Sequence, residues 1–390
     1  MSLWLIVPRD PLIFRDGKPF TATPGERAKS MVFPYPSTLA GAVRTRSGTD
    51  AATGQFDASR IAELLGKSIR GPVLVELNND GQIAEWFFPA PADALLVEKE
   101  GAVKRFSLAP LKLPDGAASD QQKLSLVGPV ENVKDKPLAR PPRYWNKKRM
   151  EAWLENPAEV DTVTPDELGM QGPARETRTH VSITTDTQTA LFGALFQTSG
   201  MEFVELQRKS DETPELSKTR SLALALETDA VMQEGVIFLG GERRIARLEK
   251  ETGKLPECPA AIRKTIAAQG SCRLILVTPA CFEKDYRPVW LESEYGVKVL
   301  AAALPRYQTI SGWDYEKGAP KPTRRLAPAG SVYFLKFNEQ ADIGKFMKEV
   351  WLQSISDEQQ SRNDGFGLAL LGTWDGKSRV MKIKQEEVKS

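Results

Sequence analysis

Histidine is almost missing from this sequence. His180 is the only one in 390 residues, which excludes every site built on two histidines: HExxH zincins, HD-type metal sites and two-histidine ribonuclease centres. Cysteine is nearly as scarce. Cys258, Cys272 and Cys281 are odd in number and lack CxxC spacing, so they offer neither a disulfide framework nor a zinc ligand set, and a reducing cytoplasm is the expected location. Long apolar runs are lacking too. None approaches the ~18 residues of a membrane helix, and the opening stretch Leu3–Val7 is too short for a signal-peptide core, so no membrane association is expected. Net charge is also small. With 53 Lys and Arg against 51 Asp and Glu, the balance of +2 cannot draw the whole molecule to nucleic acid, so any basic function must be local.

Nucleotide-hydrolysis motifs fail on spacing. Gly66-Lys67-Ser68 and Gly376-Lys377-Ser378 resemble the end of a P-loop, but Ile61 and Leu371 stand where its first glycine is required. No GxSxG elbow or EF-hand loop is present, and neither a cofactor nor a metal is expected.

What the sequence does hold is unevenly spread charge. Arg140–Arg149 (RPPRYWNKKR) carries five basic residues, no acidic ones, and Tyr144 and Trp145; Met150–Ala174 then contains no Lys or Arg at all. A second basic block, Lys317–Arg325, follows Trp313 and Tyr315, and a third, Glu242–Arg247, reads ERRIAR.

Length and a 41% apolar fraction suit two or three ordinary domains. Leu3–Val7 reads as a strand, and Pro36-Ser37-Thr38 as the start of a helix capped by Ser37 with Leu39, Ala42 and Val43 on one face. Pro72–Phe88 reads as a hairpin around Asn78–Gly81. Residues 89–172, rich in Pro, Gly and charge, read as a long, exposed insertion carrying loops, with one helix at Lys147–Glu155. Strands at Arg178–Thr184 and Ala194–Leu206, a helix at Leu216–Glu227 and a bulged strand at Val236–Leu248 complete a β-α-β-β-α-β order. A second such unit follows, with strands at Arg273–Thr278, Val297–Ile310, Ser331–Phe337 and Phe366–Trp374 and helices at Asp285–Tyr295 and Ala341–Ser354. The expected class is α+β, with an N-terminal domain over 1–255 and a C-terminal domain over 270–390.

Two segments point to RNA. In Ile310–Phe334, three prolines and three glycines among cationic and aromatic residues describe a structured loop in which Arg324, Arg325 and Lys321 can bind phosphates and Trp313 or Tyr315 can stack on bases or guanidinium groups; the alternative is a solvated loop charged for solubility. In Asn363-Asp364-Gly365-Phe366-Gly367, glycine backbone N–H groups could approach a phosphate closely and Phe366 could stack; the alternative is a tight connection that needs positive φ.

The phrases FPYPSTLAGAVRT (33–45), FFPAPAD (87–93), LGGERRIARLE (239–249), ISGWDYEKGAPKPTRRLAPAGSVYF (310–334) and DGFG (364–367) together resemble the third subunits of Cmr complexes, the RAMP proteins of type III-B CRISPR modules. The resemblance spans nearly the whole chain and is weakest over 94–172. It implies two tandem ferredoxin-like, RRM-related domains with a glycine-rich loop facing RNA. It also implies a non-catalytic subunit that holds the 5′ handle of crRNA and docks both the large polymerase-like subunit and a backbone RAMP subunit. The RNA-binding set expected on this basis is Arg44, Arg178, Arg243, Arg244, Trp313, Lys321, Arg324, Arg325, Asn363, Gly365, Phe366 and Gly367. The rival expectation is a guide-processing endoribonuclease, since related RAMP folds cut RNA with a histidine. Here His180 would be the base and Arg178, two residues away on a strand, the phosphate clamp.

Overall fold

A computed structural model describes the chain except for residues 16–30, 100–101, 121–123, 131–132, 159–161, 207–218, 285, 312, 315–318, 321 and 381–390. Its largest sheet runs through Gly235–Phe238, Ile245–Glu251, Ser2–Pro8, Thr219–Thr228, Ile69–Leu77, Ile83–Pro89, Tyr144–Asn146 and Gly169–Met170, every pair antiparallel. Val204–Leu206 pairs alongside Thr219–Thr228.

Both faces of this sheet are covered, which is why its central strands read as unbroken apolar runs. Strand alternation sends Trp4, Ile6, Leu74, Leu222 and Leu224 to one face, where Leu39, Ala40 and Val43 of the Pro36–Gly48 helix pack. The intervening Leu3, Leu5, Val73, Val75, Ala223 and Ala225 face a second core shared with the C-terminal half. Leu216–Glu227 is therefore not a helix. Its described part lies in the Thr219–Thr228 strand, because burial on both sides of a sheet overrides the helical preference of a Leu/Ala-rich run. The helix at 36 also starts differently from expectation: Tyr35 is its N-cap, with no side-chain cap bond, and Pro36 fills the first helical position, where a missing N–H costs nothing. The glycine pair at 240–241 makes a turn between two strands rather than a bulge within one.

The C-terminal half holds a four-stranded antiparallel sheet in the order Val297–Ala303, Val332–Phe337, Ser271–Leu276, Ala369–Thr373. Helices Val289–Tyr295 and Ile343–Val350 connect its strands, and Ala260–Gln269, absent from the sequence reading, precedes it. The protein is thus a mixed α and β fold with several antiparallel sheets.

Residues 89–172 carry the expected loops and the expected helix, but they also contribute to the core. They contribute strands Ala94–Lys99 and Ala102–Lys112, and the helix Lys147–Glu155 carries Trp153, which with Trp145 is fully buried. Buried Arg273 ties the segment to the C-terminal sheet: it donates to Asp93 Oδ2 at 2.5 Å and to the carbonyls of Trp153, Leu154 and Thr373, while Trp153 Nε1 donates to Asp93 Oδ1. An ion pair this deep holds only because every charge has partners. Among the described residues, no helix is long and apolar enough to cross a membrane, and no group of three His, Cys, Asp or Glu could hold a metal.

Candidate nucleic-acid interface

The glycine-rich loop is anchored by helix Gln359–Asn363 on one side and strand Ala369–Thr373 on the other. Its backbone donors are spent inside the protein. The N–H groups of Gly365, Phe366 and Gly367 donate to the carbonyls of Arg362, Ser361 and Pro279, and that of Leu368 donates to Thr278 Oγ1. No phosphate cradle remains. Phe366 has 0% exposure and packs with Cys281, Leu326 and the ring of Tyr35, at a centroid distance of 6.5 Å, so no base can stack on it. The glycines answer to close packing: a Cβ on Gly365 (φ +95°) would meet the Gly71 carbonyl at 2.7 Å, and one on Gly367 (φ +86°) the Ser356 nitrogen at 2.8 Å.

Arg44 and Asn363 are likewise structural. Arg44 donates to Asp364 Oδ1 at 2.6 Å and to the carbonyls of Leu64, Leu65 and Lys67, and Asn363 bridges Gln359 and the Leu65 carbonyl. What the loop does build is the floor of a cleft. Thr278 Oγ1 donates to the Gly365 carbonyl and accepts from Leu368, Gly367 holds Pro279, and Phe366 backs Tyr35; Thr278, Pro279 and Tyr35 all line the cleft.

This cleft has a volume of about 820 Å³ and lies where several stretches of the chain, distant in sequence, meet. Its walls come from Met31–Tyr35, Pro89–Pro91 with Ala94–Leu96, Pro137–Trp145, and Pro305–Thr309. Four proline-bearing phrases, distant in sequence, form one apolar concavity, because proline supplies rigid surface without a backbone donor to satisfy. Exposed Arg143 and Arg306 add charge, and at the mouth Tyr307, 55% exposed, lies beneath the guanidinium of Arg325, 5.2 Å from the ring centroid. Neither Tyr307 nor Arg306 is among the residues expected from sequence. A signal for them exists: Pro142-Arg143-Tyr144 and Pro305-Arg306-Tyr307 repeat one tripeptide, and both copies line the cleft.

Arg325 and Arg324 stand on Arg324–Leu326, which pairs with Gln308–Ile310 and so brings Arg325 beside Tyr307. Arg324 donates to Glu358 and Ser361 at 3.1 Å each and stays about half exposed. Trp313 pairs through its backbone with Pro320; Tyr315 and Lys321 lie outside the described residues.

Arg178, Arg243 and Arg244 meet elsewhere, at the far end of the large sheet. Arg244 donates to Glu242 at 2.7 Å, Arg15 stands 3.9 Å from the same carboxylate, and Arg243 covers the ring of Phe238. Arg178 pairs with Glu176 at 2.8 Å, which raises its pKa, with smaller pulls from Glu242 and Asp10. The turn here is tight: Gly240, Glu242 and Arg243 all take positive φ, and a Cβ on Gly240 would sit 2.5 Å from the Ile13 carbonyl. His180 belongs to the adjoining hairpin. Its Nε2 is engaged with Thr198 Oγ1 at 2.9 Å and its ring stacks on Phe196 at 5.2 Å.

The sequence profile of a family described as CRISPR-associated protein (Cas_Cmr3) matches residues 4–374. No curated protein matches significantly. Among solved structures, a chain of the cryo-EM structure of the type III-B Cmr-beta bound to cognate target RNA is 17% identical, with 94% of this chain and 96% of that chain covered and a TM-score of 0.48. A chain of the same assembly bound to cognate target RNA and AMPPnP is 17% identical over 85% and 86%, with a TM-score of 0.42. A chain of the Csm3–Csm4 subcomplex in the type III-A CRISPR-Cas interference complex is 10% identical over 88% and 94%, with a TM-score of 0.32.

Proposed function

The chain belongs to the Cas_Cmr3 family of CRISPR-associated proteins, and from that premise we propose that it is an RNA-binding and assembly subunit of a type III-B effector complex in antiviral defence. In this reading it holds the 5′ handle of crRNA and docks the large polymerase-like subunit and a backbone RAMP subunit. The cleft carries the proposal. An apolar, proline-walled concavity with a tyrosine–arginine pair at its mouth and two further arginines suits unstacked bases on a charged backbone. The cluster of Arg15, Arg178, Arg243 and Arg244 extends the cationic surface to the other end of the N-terminal half.

The reading includes two ferredoxin-like units, over 1–255 and 270–390. It is supported in the C-terminal half by strand order: counting only the four sheet strands in chain order, they lie 2-3-1-4 with a helix after the first and third. In the N-terminal half Ile245–Glu251, Ser2–Pro8, Thr219–Thr228 and Ile69–Leu77 lie in the equivalent order, 4-1-3-2, with a short strand and turn in place of the second helix. We assign no catalysis to the chain, since the ring of His180 is engaged with Thr198 and stacked on Phe196.

The test is the material that co-purifies with the full-length chain expressed with its neighbouring genes. One family of short guide RNAs sharing a repeat-derived 5′ end, protected in footprinting by the tagged chain, is the expected result. Replacing Arg178, Arg243 and Arg244 together with Gln should lower the salt dependence of handle binding by about two log–log units, at about 0.7 per phosphate contact. Recovery of no RNA, or of RNA without a common 5′ sequence, would sink the reading.

A further inference from the structure

The turn that joins Gly235–Phe238 to Ile245–Glu251 is clamped at its backbone and loose at one side chain. The Leu239 N–H donates to the Arg244 carbonyl across it, and the Gly241 N–H donates to the Ile13 carbonyl beside it. Among the described residues only four non-glycines take positive φ, and two of them, Glu242 (φ 59°) and Arg243 (φ 51°), are adjacent here. Conformations so disfavoured for residues with side chains persist where the surroundings impose them, and they gather at functional sites. The backbone set in this way carries the Glu242 carboxylate in among arginines. Nη2 of Arg244 donates to its Oε2 at 2.7 Å, Nη2 of Arg15 stands 3.9 Å from its Oε1, and its charge reaches Arg178.

The match between acid and arginines is incomplete. The carboxylate turns each oxygen to a different arginine, so it gives neither guanidinium the two parallel bonds that the planar fork offers. Arg244 shows the deficit: 16% of its side chain is exposed, and its Nε is buried with no hydrogen-bond partner. The acid is also weakly held. Among the described residues Glu242 accepts from Arg244 alone, whereas Asp10 accepts from the Ile245 N–H, and Asp364, in its pair with Arg44, accepts from Gln360 as well. With 35% of its side chain exposed, Glu242 can swing out while the clamped backbone stays in place. A phosphate, with more oxygens around a larger centre, meets more of the donors that converge here.

We propose that Glu242 is an internal substitute for an RNA phosphate: it occupies the arginine cluster in the free chain and gives way when a backbone phosphate of bound RNA takes its place. The exchange sets a threshold. A lone anion must compete with a carboxylate tethered at the site, whereas a strand already held elsewhere on the protein brings its phosphate at high effective concentration. This exchange rests on the RNA-binding reading and adds to it the residue that opposes one of its contacts.

The test titrates the full-length chain with a labelled RNA carrying the repeat-derived 5′ end. Glu242→Gln keeps the length of the side chain, removes its charge, and should tighten binding roughly fivefold, the scale of one exposed ion pair that no longer has to be broken. Glu242→Ala should act in the same direction, and both variants should keep the melting temperature. The gain must pass through the arginine: in an Arg244→Gln background, measured on the folded fraction, Glu242→Gln should change affinity less than about twofold. Arg15→Gln, at a more exposed residue, supplies a second background in which the gain should shrink. Weaker binding by Glu242→Gln would make the acid a support that orients the arginines, and unchanged binding would make it a bystander. An equal gain with and without Arg244 would reduce it to bulk repulsion. Each of these overturns the exchange and leaves the RNA reading standing, whereas failure of the unsubstituted chain and of Glu242→Gln alike to bind this RNA overturns both.

Discussion

Arg44 and Asp364, 320 residues apart, meet at 2.6 Å with 12% and 15% of their side chains exposed. The pair pins the Pro36–Gly48 helix of the N-terminal half to the glycine-rich turn of the C-terminal half, and Gln360 donates to the same carboxylate oxygen. A Cβ on Gly365 would meet that of Pro36 at 3.3 Å beside it, and Tyr35, the N-cap of that helix, lines the cleft. A link between the two halves thus fixes one wall of the candidate site.

Removing one member of so shielded a pair strands the other. Arg44→Ala should cost about 3 kcal/mol of stability, and Arg44→Ala with Asp364→Ala together should cost less than the sum of the two single changes. RNA binding, measured on the fraction that remains folded, should keep its salt slope. A lowered slope would make Arg44 a phosphate ligand after all.

The glycine-rich turn yields a sharper contrast. Phe366→Ala empties a fully buried site and should lower stability by roughly 3 to 5 kcal/mol, seen as a lower midpoint in denaturant. Gly365→Ala adds a carbon 2.7 Å from the Gly71 carbonyl in a backbone conformation that alanine disfavours, and should also destabilise. An unchanged midpoint for Phe366→Ala would mean that the ring is not core.

These residues show why the sequence is only partly legible. The pattern around Gly365 and Gly367 suits either approach to a phosphate or a turn of the chain, and in the fold they turn it, because what they approach is the protein's own backbone at Gly71 and Ser356. Local pattern cannot tell the two apart; it does not say what lies 3 Å away. Strand periodicity finds Ser2–Pro8 and Val332–Phe337 because nothing competes with β structure there. It fails at Thr219–Thr228, where a Leu/Ala run suits helix and sheet alike and only burial on both faces decides. Trp145 and Trp153 lie within a stretch that reads as loops because its prolines and charges dominate composition, although those tryptophans pack edge to face at 5.7 Å in the core. The cleft is visible in the sequence only as separate phrases, since the meeting of Met31–Tyr35 with Pro305–Thr309, where the Tyr35 hydroxyl donates to the Thr309 carbonyl, is purely tertiary.

The buried thiols predict alkaline behaviour. Burial pushes Cys258 from its ordinary 9.0 up to about 12 and raises Cys272 and Cys281 as well. For a group whose folded pKa is raised, the unfolded chain loses its proton first, so stability is fully present below the unfolded value and is lost as pH rises towards the folded one. Stability should therefore fall between about pH 9 and pH 12 with a slope of up to about 1.4 kcal/mol per unit per thiol. Cys258→Val should flatten the decline in thermal melts across that range. An identical decline in the variant would assign it to other groups.

Tyr307 carries the most direct test of the cleft. Its ring is 55% exposed at the mouth, so its removal leaves little cavity behind, while Arg325 rests 5.2 Å from its centroid and gives the ring a fixed orientation. Tyr307→Ala should keep the melting temperature and weaken handle RNA binding by about 1 to 3 kcal/mol, the worth of one stacked base. Tyr307→Phe should retain most of that affinity, because stacking needs the ring and not the hydroxyl. Arg325→Gln should act through charge, reducing the salt slope by about 0.7, whereas Tyr307→Ala should leave the slope alone. Titration of each variant with labelled handle RNA at several salt concentrations separates the two effects. If Tyr307→Ala binds as tightly as the unsubstituted protein, no base lies at the cleft mouth, and the RNA path must run instead along the arginine cluster around Glu242.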